Sequence, residues 1–118
     1  MFVIKNVRIL DPASATDITG DIGIENGKIA AIGTVETKAE DQVLDGKGLV
    51  AAPGLVDTHV HFRDPGLTYK EDIYSGAHAA AAGGFTSVVC MANTKPVVDN
   101  VDTVSYIVNK GKKTNIHV

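Results

Sequence analysis

Hydrophobic and polar positions follow two different patterns along this chain, and the change of pattern falls at Pro53-Gly54. Before it, short β-branched segments alternate with turn residues. Phe2–Ile9 alternates loosely; Asp21–Glu25 and Lys28–Ile32 flank Asn26-Gly27, a pair suited to the two positive-φ positions of a tight hairpin turn. Val43–Asp45 and Leu49–Ala52 are joined by Gly46-Lys47-Gly48, which reads as a second hairpin-like connection, while Asp11–Thr19 and Thr34–Asp41 read as loops. The expected unit over residues 1–52 is a small antiparallel sheet, or half of a β-sandwich.

From residue 53 to 118 the pattern becomes strand, helix, strand, helix, strand, which implies parallel pairing through crossover helices. The first strand is about Leu55–His59. A helix over Tyr69–Ala82 follows, opened by Thr68 with Glu71 as a capping box and closed by Gly83-Gly84. The alanine run Ala79–Ala82 favours the helix and allows close packing on a sheet. Thr86–Met91 is apolar enough for a strand buried on both faces. The second helix, Val101–Lys110, places Val101, Val104, Ile107 and Val108 on one stripe, with Asp99 or Asn100 as cap and Gly111 after it. A third strand begins near Thr114. A (β/α)8 barrel typically takes about 250 residues, so the expectation is an N-terminal portion of a larger protein, about three barrel strands of eight. A complete small α+β domain is the alternative.

Composition narrows the function classes. A formal net charge of −3 over 118 residues argues against a nucleic-acid partner, which needs a basic face. No stretch approaches the roughly 20 apolar residues of a membrane span, and Lys5 and Arg8 break the N-terminal segment too early for a signal peptide. The lone Cys90 lies in an apolar run and reads as a small buried hydrophobe. The expectation is a soluble, cytoplasmic protein.

The chemistry concentrates in Gly54-Leu55-Val56-Asp57-Thr58-His59-Val60-His61-Phe62-Arg63-Asp64-Pro65-Gly66. In an extended strand Asp57, His59, His61 and Arg63 project to one side. Two imidazoles two residues apart on one face can converge on one cation, and a guanidinium one step further suits a carboxylate. This lies at the C-terminal end of a parallel strand, where barrels place catalytic groups. Two histidines fall short of the three protein ligands of a catalytic zinc. After the next strand comes Met91-Ala92-Asn93-Thr94-Lys95-Pro96; consecutive parallel strands are usually neighbours, so Asn93 can lie near Arg63 as a substrate contact. His78, His117, Asp64 and the pair Glu71-Asp72 read as packing, surface, loop or helix-start residues rather than catalytic ones. There is no Gly-rich phosphate loop and no serine or cysteine nucleophile with an adjacent base.

Taken together, Asp57 to Gly66, Lys70-Glu71-Asp72, Ala79 to Thr86 and Met91 to Pro96 closely resemble the dihydroorotase family, in its bacterial long form within the amidohydrolase superfamily. The resemblance runs through the whole chain, with the N-terminal strands similar to that family's small β-sandwich. Allantoinases and hydantoinases share His-x-His and the Ala-Gly-Gly helix end, but typically lack Arg63 together with Met-x-Asn-Thr.

The resemblance implies a metal-dependent (β/α)8 barrel preceded by a small β-sandwich, reversibly hydrolysing the cyclic amide of dihydroorotate to N-carbamoyl-aspartate in pyrimidine biosynthesis. It implies zinc, two ions in the full-length protein, with His59 and His61 as metal ligands and Arg63, Asn93 and His61 as substrate-binding residues. Further ligands (a bridging carboxylate or modified lysine, two histidines) and an aspartate acting as general acid/base are expected on later strands, so no catalytic acid/base falls within these residues and this portion alone is expected to be inactive. Expected partners are the small-molecule substrate, a second copy in a homodimer, and an association with aspartate transcarbamoylase. Two other readings remain open: a hydantoinase- or allantoinase-type cyclic amidohydrolase, and a non-catalytic dihydroorotase-like scaffold subunit.

Overall fold

The computed structural model describes all 118 residues, which form two compact units, Met1–Pro53 and Gly54–Val118. The first unit is one mixed sheet of five strands: β1 (Phe2–Asp11), β2 (Thr16–Glu25), β3 (Lys28–Gly33), β4 (Gln42–Asp45) and β5 (Val50–Ala51). The β2–β3 hairpin turns at Asn26 (φ 51°) and Gly27 (φ 73°), as the sequence pattern requires. Val7, Ile9 and Ile22 pack on one face with Ile4, Ile24 and Ala51 against them.

Three expectations for this unit are corrected. The sheet is not purely antiparallel, because β4 and β5 both pair with β1 in parallel. They do not form a hairpin with each other: Gly46-Lys47-Gly48 is a detour within one edge. Gly46 donates to the Lys5 carbonyl and Leu49 donates to the Gly46 carbonyl, after which Arg8 donates to the Leu49 carbonyl. The detour matches an irregularity in β1 between Ile4 and Val7, where Asn6 takes φ 58°. The Asp11–Thr19 loop shrinks to the turn between β1 and β2, because the Asp11 carboxylate accepts from the Ala13 amide and the Ser14 hydroxyl. The polar residues beyond it are the solvent side of a hairpin, with Asp17 taking two hydrogen bonds from Arg8. At the other end Asp21, 8% exposed, receives Lys5 Nζ at 2.8 Å and the amides of Asn6 and Val35.

The second unit runs β6 (Leu55–Val60), α1 (Ile73–Ala82), β7 (Phe85–Cys90), α2 (Val101–Gly111). The strands β6 and β7 pair in parallel, and His117 adds a parallel bridge to Ser87. The third strand is thus one bridge at His117; Thr114 sits in a turn, its hydroxyl bonded to the Gly111 and Ile116 carbonyls. Phe62, Ile73, Ala77, Val88, Ile107 and Ile116 form the core.

The first helix starts later than expected, and its cap is Asp72 rather than Thr68. The Asp72 carboxylate accepts from the Tyr74 and Ser75 amides, and the Ser75 hydroxyl closes the capping box in place of Glu71. The chain leaves the helix through Gly84 at φ 85°, which a residue without Cβ adopts without strain. The strand β7 is buried on one face only, with Val88 at 5% and Val89 at 54% exposure. The stripe expected to be buried on α2 is also displaced. Val101, Val104 and Val108 are exposed, and Thr103, Ile107 and Gly111 face inward. Rotation of α2 is set by Tyr106 and Lys110, which reach back to Asp64, and by Gly111, where a Cβ would lie 2.8 Å from that of Val118. The buried Thr103 is tolerated because its hydroxyl donates to the Asn100 carbonyl, while the Asn100 side chain caps the helix.

Candidate functional site

The site forms where β6 and β7 end and their following loops meet. Asp57 and His59 belong to β6, which stops at Val60; His61, Phe62 and Arg63 lie beyond it. The expected strict alternation of Asp57, His59, His61 and Arg63 on one strand face therefore does not extend past Val60. Arg63 takes φ 60°, a left-handed conformation that costs a non-glycine residue on the order of 1–2 kcal/mol. The two histidines still come together, their ring centroids 5.2 Å apart with planes inclined by 57°. The Asp57 carboxylate accepts from the His59 amide at 2.9 Å.

The two loops are joined at three points. The Lys95 amide donates to the Pro65 carbonyl at 3.1 Å. Gly66, at φ 85°, lies so close that a Cβ there would be 1.8 Å from the Lys95 carbonyl oxygen. His61 Nδ1 lies 3.0 Å from Asn93 Oδ1. An amide oxygen only accepts, so this contact requires the proton on Nδ1 and leaves Nε2 as the nitrogen with a free lone pair. Asn93 thus meets His61, a contact that the sequence reading did not name. The buried Thr94 holds the loop's shape, its hydroxyl donating to the Pro96 carbonyl at 2.7 Å.

Asp64 carries more than a loop charge. Its side chain is fully buried and accepts from Tyr106 Oη at 2.9 Å, from Lys110 Nζ and from the Ile73 amide at 3.3 Å. Lys110 also lies 5.2 Å from the Tyr74 ring centre and 5.3 Å from that of Tyr106. Burial works against its charge, but the hydrogen bonds that it donates to Asp64 and Tyr106 outweigh this and raise its pKa. The only sequence signal for this cluster is the i, i+4 spacing of Tyr106 and Lys110 on one helix face. Burial pushes the half-buried Cys90 thiol up to about 11, which fits a packing residue rather than a nucleophile. His78 and His117 are exposed.

Two neighbouring imidazoles, one held in the Nδ1–H tautomer by an amide oxygen, suit a divalent metal of the zinc type. No group of three or more His, Cys, Asp or Glu side chains gathers here, and two histidines fall short of the three protein ligands that a catalytic zinc needs.

A sequence model of the Dihydro-orotase-like family matches residues 47–117. The chain is 55% identical to a dihydroorotase of Clostridioides difficile and 50% identical to one of Streptococcus pneumoniae, in each case over the whole chain and 28% of that protein. It therefore spans little more than a quarter of the length of these relatives. Among solved structures, an L-hydantoinase from Arthrobacter aurescens superposes with a TM-score of 0.73 at 28% identity, and a D-hydantoinase from a Thermus species with 0.71 at 29%. Each match covers 95% of this chain and 24% of the hydantoinase. By its sequence, from the loop before β5 to the His117 bridge, this chain belongs to the Dihydro-orotase-like family.

Proposed function

We propose that the full-length polypeptide is a zinc-dependent dihydroorotase, interconverting dihydroorotate and N-carbamoyl-aspartate in the cytoplasm, with β6 and β7 as the first strands of a (β/α)8 barrel. The observation that carries this is the His61–Asn93 contact: it joins the His-x-His loop to the Met91–Pro96 loop at the ends of two parallel strands. In this reading His59 and His61 hold one of two zinc ions. When bound, zinc supplies a water of lowered pKa and polarises the amide carbonyl. The chain's own contribution is orientation. Arg63 grips the substrate carboxylate in a fork, and the Asn93 amide nitrogen donates to it while the amide oxygen holds His61. Fixing the ring in this way brings the scissile carbonyl into attack geometry.

The test is turnover of dihydroorotate by the full-length polypeptide loaded with zinc, compared with 5,6-dihydrouracil, which lacks the carboxylate. Hydrogen bonds to charged groups contribute about 1.5–3 kcal/mol, so Arg63→Ala is expected to lower kcat/KM for dihydroorotate roughly 10- to 100-fold and leave dihydrouracil little affected. Equal losses on both substrates, or no turnover of dihydroorotate by the unaltered protein, would refute the assignment. The hydantoinase likeness favours a second reading, a cyclic amidohydrolase for neutral rings, and faster turnover of dihydrouracil or hydantoin would establish it.

A further inference from the structure

We infer that Asp64, Tyr106 and Lys110 act together as a positioning device: they clamp the loop that presents His61 and Arg63 onto α2 and so set the geometry of substrate capture. Four observations support this. Asp64 directly follows Arg63, and its side chain has no exposure. It takes hydrogen bonds from two elements, from Tyr106 and Lys110 on α2, more than forty residues on, and from the Ile73 amide at the start of α1. Arg63 itself is left-handed, a conformation that persists only when the flanking chain is tied down. On its far side the same loop is held by the bond from the Leu67 amide to the Arg63 carbonyl and by the Lys95–Pro65 bond. Their hydrogen bonds run to one another and to the Ile73 amide rather than to His59 or His61, so their effect on the site passes through the backbone. A buried carboxylate held by an ammonium and a phenol has one arrangement, and the residues before it inherit that arrangement.

This inference rests on the dihydroorotase reading for its kinetic arm, and a second arm does not need that reading. The variants are Tyr106→Phe, which keeps the ring and removes one hydrogen bond, and Lys110→Met, with Lys110→Arg as the conservative replacement. In the full-length polypeptide, hydrogen exchange at the Leu67 and Lys95 amides is expected to accelerate about threefold to tenfold in Tyr106→Phe and more in Lys110→Met, while β1–β3 amides keep their rates. KM for dihydroorotate is expected to rise about threefold to tenfold in Tyr106→Phe, with Lys110→Arg restoring most of the loss seen in Lys110→Met. In an Arg63→Ala background the Tyr106→Phe effect on KM should vanish, since the group being positioned is gone. Unchanged loop exchange overturns the inference. So does accelerated exchange with unchanged KM in an active enzyme, or a KM effect that persists without Arg63. If the unaltered protein does not turn over dihydroorotate, the activity reading fails by itself and the exchange measurement decides the clamp.

Discussion

Gly66→Ala is a sharp test of the three-point junction between the loops after β6 and β7. Two effects add. At φ 85° an L-residue sits in a disfavoured region, worth about 1–2 kcal/mol. The new Cβ would also lie 1.8 Å from the Lys95 carbonyl oxygen and 2.8 Å from its carbon, both backbone atoms that no rotamer change can move aside. Relief requires the loops to separate, which breaks the Lys95–Pro65 hydrogen bond at a further 0.5–1.5 kcal/mol, roughly. The expected destabilisation is about 1.5–3.5 kcal/mol, within the margin of a typical domain. Gly27→Ala is the control: its φ is 73° and nothing lies within 4 Å of the added carbon, so it reports the conformational part alone. Urea titration of both variants gives the difference, and the nitrogen signals of the His61 ring report the Asn93 contact. Gly66→Ala should destabilise by clearly more than Gly27→Ala and shift His61 away from a single Nδ1–H tautomer. Equal destabilisation by the two, with the His61 signals unmoved, would refute the reasoning.

Other outcomes follow from the same geometry. A Cβ at Gly76 would meet the Phe62 ring at 2.4 Å, so Gly76→Ala should destabilise by about 1–3 kcal/mol and loosen the loop beyond Phe62, read by urea titration and loop hydrogen exchange. On the proposed metal role, Asn93→Ala should weaken zinc binding roughly 10- to 100-fold in chelator competition, because His61 loses the partner that sets its tautomer. The hydrogen bond from Lys5, with the Val35 and Asn6 amides, lowers the Asp21 pKa to about 2. A depressed carboxylate contributes stability above its unfolded value of about 3.9 and loses it as pH falls through the folded one. Acid titration of the first unit should therefore show stability declining between about pH 4 and pH 2, and Asp21→Asn should flatten that slope.

Much of this was legible in local sequence. The Asn26-Gly27 turn, the exit of α1 through Gly84 and the Asn100 cap are decided by backbone conformations and short-range hydrogen bonds that a few neighbouring residues settle. The His59–His61 pair was legible for the same reason, since residues two apart near a strand end stay close even when the strand stops between them. Other features depended on partners far along the chain. One exception is local: Asp72 displaced Thr68 as the cap of α1 because its carboxylate takes the Tyr74 and Ser75 amides. The buried face of α2 differs from its most apolar stripe because Lys110 and Tyr106 are drawn to a carboxylate more than forty residues earlier.

By itself, then, the sequence determined the two regimes either side of Pro53-Gly54, the order of the second unit's elements and the histidine pair, because periodicity and turn chemistry act over a few residues. The tertiary structure alone decided that β4 and β5 share one edge of β1, that Asn93 meets His61, and that Asp64 is a buried anchor. Each is a contact between residues more than thirty positions apart, and such pairings are selected by packing and by the need to satisfy buried polar groups.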